Sequence, residues 1–354
     1  MREEVKVETK TRTILPGRRK GTVLVPSSKS VAHREIIAAA LSGVEGPIVR
    51  GESNDTLATR RCLDAMMSGE SVWMCGESGS TLRFLTPIAG VMGWKGRFKC
   101  EGRLASRPQM PFERKDVYHV AGNVSSQFVS GLLMALPLAG WDSEIVVDGE
   151  LESSGYVDLT EDVLVAAGIR FAKSPGRWSI PGGQRYSIAP RREVEGDWSQ
   201  AAFFLAMGVG VEGLDPSSRQ GDRAVTRLLD ERLVDAAPVP DLIPALAARA
   251  ALRDGETRFV NCGRLRLKES DRLVSTAEMI ASVGGGARIE GDALIVSGGG
   301  VRGGTVRTCS DHRIAMAAAV LAVGAEEPVV VDDAGAVAKS YPGFWDDFDG
   351  LKRI

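Results

Sequence analysis

The sequence predicts an α/β protein of two domains, and three observations support that prediction. The chain has 354 residues, which is too long for one ordinary domain. Hydrophobic residues make up 44% of the chain and charged residues 25%, a composition typical of a globular protein with a substantial core. Short β-branched stretches alternate with Ala- and Leu-rich stretches of helical length, each opened by a small or acidic turn.

The helices are predicted from six of these turns, three in each half of the chain. Ser and Asp accept hydrogen bonds from the free N–H groups of a first helical turn, so they favour a helix start. The first three turns are spaced by about fifty residues, which suggests repeats of one supersecondary unit. The six turns are Ser27–Ser28, Glu77–Ser80, Ser125–Ser126, Gly196–Asp197, Pro240–Asp241 and Ser310–Asp311.

Strands are predicted in the β-branched stretches between the helices, for example Gly21–Val25, Ser143–Val147 and Arg288–Val296. The two halves have a similar build, so we expect two α/β domains with a boundary near Arg191–Gly196. Helix N-termini carry free N–H groups and partial positive charge, so several that face one cleft would bind anions. Ordinary capping explains any single turn equally well.

Charge balance and cysteine content narrow the classes of function. Lys and Arg number 44 and Asp and Glu 46, so no general attraction to nucleic acid or to a membrane surface is expected. Residues 1–12 have no apolar stretch, so no signal peptide is predicted, and the runs Ala201–Val211 and Ile314–Val323 are too short to span a bilayer. Five scattered cysteines without a C-x-x-C motif suit reduced thiols in the cytoplasm. Cys309 and His312 lack a second pair of ligands, so no metal site is predicted.

Basic and neutral donors beside the helix starts are candidates for anion binding. Lys29, Ser30 and Arg34 lie in the first helix, where a cation near the N-terminus opposes the helix dipole and suggests a bound anion. Gly79 would let an anion approach the backbone near Arg83. Neutral donors at another helix start are Ser125, Ser126 and Gln127.

The run Lys268–Arg272 concentrates charges of both signs. If the run lies on a helix, its Lys and Arg share a face, and Glu269 stays ionised among the cations unless burial raises its pKa. Taken alone, a salt-bridged surface helix explains the run as well. Asp241 is a lone acid before an apolar helix, in a position to cap or to catalyse. With no Walker A loop or dinucleotide fingerprint, the residues together suit two anionic substrates and proton transfer without a cofactor.

Seven motifs, in order along almost the whole chain, closely resemble the 5-enolpyruvylshikimate-3-phosphate (EPSP) synthase family. A single match would be a hypothesis, whereas seven in the family's order make coincidence improbable. The motifs are P-S-S-K-S-V-A-H-R (26–34), G-S-T-L-R (79–83), S-S-Q-F (125–128), V-P-D-L (239–242), L-R-L-K-E-S-D-R (265–272), D-H-R-I-A-M (311–316) and A-K-S-Y-P (338–342).

The resemblance implies the two-domain enolpyruvyl transferase fold, in which each domain is built of pseudo-threefold βαβαββ-like repeats. Residues 1–20 and 196–354 would form the first, discontinuous domain and residues 21–195 the second, with the active site in the cleft between them. The implied reaction is transfer of the enolpyruvyl group of phosphoenolpyruvate (PEP) to the 5-hydroxyl of shikimate 3-phosphate. Phosphate would leave from a tetrahedral intermediate, with no metal or organic cofactor. The enzyme would be a cytoplasmic monomer of the shikimate pathway.

The resemblance also implies roles residue by residue. Asp241 would be the base for the 5-hydroxyl and Glu269 the acid and base at C3 of PEP, with Lys268 and Lys29 also catalytic. The residues implied for shikimate 3-phosphate are Lys29, Ser30, Arg34, Ser125, Ser126, Gln127, Ser153, Tyr156, Asp241 and Lys268. The residues implied for PEP are Lys29, Gly79, Arg107, Gln127, Arg272, Arg313 and Lys339.

Three substitutions depart from the family pattern. Glu77 stands where the family commonly has Asn, Ser80 where it has Thr, and Gly155 where Pro is frequent. A carboxylate at position 77 would repel an anionic substrate unless it points away or pairs with a cation, for instance Arg83.

Two connections are also shorter than the family pattern. The stretches Asn54–Gly76 and Arg107–Ser125 are abbreviated, which predicts that one or two repeats of the N-terminal domain are incomplete. The expected contact of Arg107 with PEP therefore depends on how the shortened stretch folds.

Two alternatives remain open. The sister family, UDP-N-acetylglucosamine enolpyruvyl transferase, shares the fold and the chemistry, but it has Lys-Asn in the first helix and a loop cysteine. Here the corresponding residues are Lys29-Ser30, and 103–112 contains no cysteine. The second alternative is a catalytically inactive anion-binding scaffold; the residues that argue against it are Asp241, Lys268, Glu269 and Lys339.

Overall fold

The computed structural model describes residues 11–190 and 192–354. Residues 1–10 and Arg191 lie outside that range. The prediction of no signal peptide and the start of the predicted boundary Arg191–Gly196 therefore fall on residues that are not described. Among the described residues, no helix is long and apolar enough to cross a membrane.

Helices and strands alternate along the chain, as predicted for an α/β protein. The helices are α1 (Lys29–Ser42), α2 (Asn54–Met67), α3 (Gly79–Met92), α4 (Ser126–Ala135), α5 (Gly155–Ala166), α6 (Trp198–Ala206), α7 (Val225–Leu228), α8 (Ile243–Ala251), α9 (Arg272–Ser282), α10 (His312–Val323) and α11 (Phe344–Gly350). The strands are β1 (Arg12–Ile14), β2 (Arg19–Lys20), β3 (Thr22–Leu24), β4 (Val72–Gly76), β5 (Arg97–Cys100), β6 (Val117–Ala121), β7 (Ser143–Asp148), β8 (Ala172–Ser174), β9 (Arg177–Ile180), β10 (Gly210–Glu212), β11 (Leu233–Asp235), β12 (Gly255–Val260), β13 (Gly286–Glu290), β14 (Ala293–Gly298), β15 (Gly304–Val306), β16 (Val329–Val331) and β17 (Lys352–Arg353).

Five of the six predicted helix starts are confirmed. Ser28, Ser78, Ser125, Asp197 and Asp311 each accept a hydrogen bond from a backbone N–H in the first turn of the following helix. The sixth start differs, because α8 begins after Leu242 and the Asp241 side chain makes no cap.

Two local predictions were wrong. The run Lys268–Arg272 does not form one helical turn, because α9 begins at its last residue and Asp271 is the N-cap. Lys268 is therefore in extended backbone and shares no helix face with Arg272. The stretch Arg288–Val296 is not a single strand either; it contains the tight turn of the β13–β14 hairpin, where Gly291 has φ +63°.

Two four-stranded sheets repeat one topology and confirm the predicted βαβαββ unit. Their orders are β6-β7-β9-β8 and β11-β12-β14-β13. In each sheet the first two strands are parallel, and the last two form an antiparallel hairpin. A third sheet, β1-β16-β15, has the same parallel pair and takes its antiparallel strand from the start of the chain.

The N-terminal half is abbreviated, as predicted. Strands β4 and β5 are parallel and are joined by α3, but their sheet contains no further strand among the described residues. Only residues 68–71 separate α2 from β4, which leaves no room for a hairpin there. A short 3₁₀ turn, Gly102–Ser106, and an irregular segment connect β5 to β6.

The irregular segment is anchored by Phe112. Its ring stacks on Tyr118, with 6.0 Å between the ring centroids. The ring also lies on Gly90 of α3, where an added Cβ would come within 2.2 Å of it. A glycine in the middle of α3 thus lets the short segment pack directly on the helix, in place of the missing secondary structure.

Buried hydrophobic side chains form two clusters. The larger contains Val23 and Val25 and then continues from Trp198 to Leu351, whereas the smaller extends from Val31 to Val194. We therefore retain two domains as a proposal but set the first boundary after residue 25 instead of residue 20. The reason is that β3 pairs with β10 and packs in the larger cluster.

Candidate active site

Most of the residues implied by the resemblance line one cavity between the two hydrophobic clusters. Residues from both clusters' segments contribute to its walls, which agrees with an expected site between two domains. Those that line it are Lys29, Ser30, Arg34, Gly79, Arg107, Ser125, Ser126, Gln127, Tyr156, Asp241, Lys268, Glu269, Arg272 and Arg313.

The two implied residues outside this lining, Ser153 and Lys339, contact it directly. The Ser153 hydroxyl accepts a hydrogen bond of 2.8 Å from Arg264, which lines the cavity. The Lys339 ammonium donates a hydrogen bond of 3.2 Å to Asp55, which also lines it. The structure thus brings the whole implied set together.

Helix N-termini converge on this cavity. The first residues of α1, α3, α4, α9 and α10 are all part of its lining. The N–H groups of a first helical turn have no partner within the helix, and a helix N-terminus carries partial positive charge. Their convergence makes the cavity suited to anions before any cationic side chain is counted.

Gly79 gives two arginines room to lie side by side. A Cβ at this position would come within 3.0 Å of Arg83 Nη1 and 3.3 Å of Arg107 Nη1. Arg83 is held by Gln127 Oε1 at 2.6 Å and by the carbonyl of Pro108 at 3.1 Å. Burial and the neighbouring Arg107 lower the pKa of Arg83 to about 10. Adjacent guanidinium groups repel one another until an anion bridges them, so the pair favours a bound anion.

The shortened segment brings Arg107 to the cavity. Its guanidinium lies 3.5 Å from the Glu269 carboxylate, and its side chain is 12% exposed. The sequence alone did not determine where the shortened segment would place Arg107. Its position in the structure is compatible with contact to a ligand.

Arg272 is the centre of a buried ionic network. Its side chain is 1% exposed, and it donates to three carboxylates. The distances are 2.5 Å to Glu269, 2.9 Å to Asp241, and 3.0 and 3.2 Å to Asp311. Burial raises the pKa of Glu269, but Arg272 and Arg107 outweigh burial and hold this pKa well below its usual range. Glu269 is therefore a carboxylate in the unliganded protein.

Asp241 is surrounded by three cations, of which Arg272 is one. It accepts hydrogen bonds from Lys268 at 3.2 Å and from Arg313 at 3.2 Å. Tyr156 donates its hydroxyl hydrogen to the same carboxylate at 3.2 Å. Burial opposes ionisation of Asp241, but the cations Arg313, Lys268 and Arg272 hold its pKa well below the usual value. The position suits a base that faces a bound hydroxyl group.

Asp55 is a site residue that sequence reasoning missed. It lies in the first turn of α2, and its carboxylate joins Lys29 at 2.8 Å and Lys339 at 3.2 Å. Burial opposes ionisation, yet the two lysines keep the pKa of Asp55 below its usual value. In the sequence it looks like an ordinary acid after the N-cap Ser53, so nothing marked it out.

Glu77 pairs with a cation, but not with the one suggested by the sequence. The Lys339 ammonium donates to the Glu77 carbonyl at 2.8 Å and lies 3.8 Å from its carboxylate. Arg83 is instead occupied by Gln127 and Pro108. Because the Glu77 side chain is also 44% exposed, its charge is partly neutralised and partly screened by water.

Arg34 is tied to the protein. It donates to Thr160 at 2.7 Å, to Ser130 at 3.4 Å and to the carbonyls of Ser30 and Tyr156. Burial lowers its pKa to about 9. These bonds fix α1 against α4 and α5, so Arg34 orients the wall that carries Ser30 and Tyr156.

Metal-ligating side chains do not converge within the described part of the chain in a group of three or more. Cys309 and His312, the pair considered from the sequence, differ in environment. Cys309 is exposed, whereas His312 is buried at the start of α10.

A comparison with family models matches the chain to "EPSP synthase (3-phosphoshikimate 1-carboxyvinyltransferase)" over residues 109–232 and 223–348. Among curated proteins, the chain is 36% identical over 412 aligned positions to a 3-phosphoshikimate 1-carboxyvinyltransferase of Clostridium kluyveri, with 96% of each chain covered. It is likewise 36% identical to the protein of that name from Clostridium perfringens, covering 96% of this chain and 98% of the relative.

These alignments show that the length difference is internal to the chain. The alignment with the C. kluyveri protein has 412 positions and this chain has 354 residues, so at least 58 positions (412 less 354) face no residue here. Because both chains are covered almost end to end, the missing positions are internal, in agreement with the abbreviated repeats.

Solved structures support the same fold. An EPSP synthase structure from Acinetobacter baumannii has a TM-score of 0.74 at 22% identity, covering 96% of this chain and 98% of that one. A second EPSP synthase structure from the same organism has a TM-score of 0.71 at 20% identity.

Proposed function

The chain belongs to the EPSP synthase family of 3-phosphoshikimate 1-carboxyvinyltransferases, and from that premise we propose how its cavity carries out the reaction. The reaction transfers the enolpyruvyl group of PEP to shikimate 3-phosphate and belongs to the shikimate pathway of aromatic amino-acid biosynthesis. The observation that carries the proposal is the convergence of five helix N-termini and many cations around Asp241 and Glu269. Both substrates are polyanions, so they need this neutralisation before they can approach one another.

We place PEP on the side of the cavity where the guanidinium groups of Arg83 and Arg107 lie side by side. Arg107, Arg272 and Arg313 would bind its phosphate and carboxylate, because guanidinium forks match both groups. Lys29 and Lys339, now paired with Asp55, would add charge on the same side. Gly79 and Gln127 complete this proposed subsite.

Shikimate 3-phosphate would occupy the opposite side. Ser125 and Ser126, at the start of α4, offer hydroxyl and backbone donors to its phosphate. Ser30 and Tyr156 line the same region, and Ser153 contacts it through Arg264. Asp241 and Lys268 would then face its 5-hydroxyl group.

The proposed chemistry is addition followed by elimination. Asp241 accepts the proton of the 5-hydroxyl as its oxygen bonds to C2 of PEP, while C3 receives a proton from Glu269. The tetrahedral intermediate then loses phosphate and the C3 proton, which restores the double bond. Glu269 is ionised in the free enzyme, so it must gain a proton before this step. Binding of anionic PEP would make this protonation possible. PEP draws Arg107 and Arg272 away from the Glu269 carboxylate, which raises the pKa of Glu269.

The proposal is tested by assaying phosphate release from PEP and shikimate 3-phosphate in the presence of EDTA. Release of one phosphate per enolpyruvyl group transferred is the expected result. Release only when UDP-N-acetylglucosamine replaces shikimate 3-phosphate would identify the sister activity. Binding of both substrates without release would identify an inactive scaffold.

The lowered pKa of Lys268 predicts that activity falls at alkaline pH. Burial lowers the pKa of Lys268 to about 8, against the opposing effect of Asp241. A lysine with a lowered pKa loses its charge as the pH rises through that value, so kcat/KM for shikimate 3-phosphate should fall above about pH 8. In Lys268→Arg the fall should move to higher pH, because a guanidinium group loses its proton at a higher pH than an ammonium group does. The exposed Lys115→Arg variant is the control, and an unmoved limit in Lys268→Arg would contradict the assignment.

Three further properties stay proposals. The five free cysteines suit a reducing compartment, and we propose the cytoplasm. We also propose a monomer whose cavity lies between two domains, 26–195 and the remainder. Light scattering of the purified protein tests whether it is a monomer. Small-angle scattering with and without both substrates tests whether the two domains close on them.

A further inference from the structure

The phosphate end of the proposed shikimate subsite needs a cation that the implied set does not readily provide. Lys29 is paired with Asp55 at 2.8 Å and lies toward the PEP side. The donors of Arg34 are directed to Thr160, Ser130 and two backbone carbonyls. A phosphate dianion held only by serine hydroxyls and helix N–H groups would remain poorly neutralised.

Arg264 lies at this end of the cavity. It belongs to the 3₁₀ turn Gly263–Leu267, and its side chain is 11% exposed. Its Nη1–H donates to the Ser153 hydroxyl at 2.8 Å, and its Nε lies 3.6 Å from the Glu152 carboxylate. Arg264 thus reaches from the larger cluster's half of the chain to the loop before α5 in the other half.

Building on the proposed function, we propose that Arg264 binds the phosphate group of shikimate 3-phosphate and that Glu152 holds its guanidinium until this substrate arrives. The exchange needs little movement, because Ser153 is adjacent to Glu152 and already contacts Arg264. Ser153 has φ +56°, a backbone conformation that few non-glycine residues adopt, and its hydroxyl donates to the Ala237 carbonyl. The hydroxyl is therefore fixed between Arg264 and Ala237, which both belong to the larger cluster's half of the chain.

Electrostatics favour the substrate over Glu152 as the partner of Arg264. The Glu152 contact is a single approach at 3.6 Å, longer than a hydrogen bond, and the Glu152 side chain is 28% exposed. Burial raises the pKa of Glu152 more than Arg264 lowers it. The pairing with Arg264 therefore does not fully offset the cost of burying the Glu152 carboxylate. A phosphate can accept two N–H bonds from one guanidinium, which a carboxylate at that distance does not.

The roles of the two residues lead to effects of opposite sign. In Arg264→Gln, KM for shikimate 3-phosphate should rise by about 10- to 100-fold, the usual effect of a lost charge-assisted hydrogen bond pair. KM for PEP should change by less than about threefold, because PEP occupies the other side. In Glu152→Gln, KM for shikimate 3-phosphate should fall by about two- to fivefold, because a competing exposed charge is removed. Arg266→Gln, the same change two residues away outside the cavity, is the matched control.

Two ligands, with and without a phosphate group, distinguish two roles of Arg264. One is a contact to the substrate phosphate, and the other is a latch, meaning a structural contact that only holds the two halves of the chain together. Calorimetric titration with shikimate 3-phosphate and with shikimate, which lacks the phosphate, should show that Arg264→Gln weakens only the first. Equal weakening of both ligands would identify a latch and overturn the proposal, as would a wild-type KM for shikimate 3-phosphate in a folded Arg264→Gln protein. Arg264→Lys, which keeps the charge, should show an intermediate KM and guards against misfolding of the first variant. Failure of wild-type protein to release phosphate would instead refute the proposed function itself.

Discussion

Glu269→Gln is expected to keep both substrates bound while turnover falls by about 10²- to 10⁴-fold. The amide retains the shape of the side chain and an oxygen that can accept the bond from Arg272, now 2.5 Å long. It cannot carry a proton to or from C3 of PEP. Because the loss affects the chemical step and not binding, kcat should fall while the dissociation constants stay within a few-fold of wild type.

Steady-state kinetics and calorimetry of the variant check this expectation. Glu278→Gln, an exposed change on the same helix α9, is the control for altered charge. Turnover within about threefold of wild type would remove Glu269 from proton transfer. A parallel loss of PEP binding would mean that the carboxylate mainly positions Arg107 and Arg272.

Arg272→Met is expected to destabilise the protein by about 3–5 kcal/mol, one of the largest effects of a single substitution. The guanidinium is 1% exposed and neutralises Asp241, Glu269 and the fully buried Asp311. Methionine fills similar space but leaves these carboxylates without their shared cation. Buried charges without partners cost more than the hydrophobic surface gained.

The deficit should depend on pH. Without Arg272, Asp241 and Glu269 are easier to protonate, so we expect their folded-state pKa values to rise above those of the unfolded chain. Stability of the variant is then lost as the pH rises through those values, and the deficit against wild type should be smaller at pH 5 than at pH 8. Urea denaturation at both values measures it, with the half-exposed Arg266→Met as control. A loss below about 1 kcal/mol at pH 8 would show that the network is not needed for folding.

Local sequence features predicted the fold well where one residue decides the structure. Ser28, Ser78 and Asp311 each cap a helix because their short side chains reach the free N–H groups beside them. Asp241 has the same chemistry and precedes a helix, yet it turns toward Arg272 and Arg313 instead. Three nearby cations stabilise its charge more than a cap would, and those cations come from distant parts of the chain.

The site was predictable as a set of anion-binding motifs but not as a network. Asp55 and Lys339 are 284 residues apart in sequence and form a 3.2 Å bond. Nothing in either local sequence indicates the other, so Asp55 was missed. Arg264 precedes the charged run Lys268–Arg272 in the sequence, and only the fold shows that it reaches Ser153.

The abbreviated repeats have a consequence for how this enzyme can vary. Five helix starts contribute residues to the lining of the cavity, whereas the hairpin strands β8, β9, β13 and β14 contribute none. Hairpins can therefore be gained or lost at the far end of a repeat while the reacting groups keep their places. The length of these hairpins is therefore independent of the chemistry, which makes the hairpin turns natural positions for inserting new sequence.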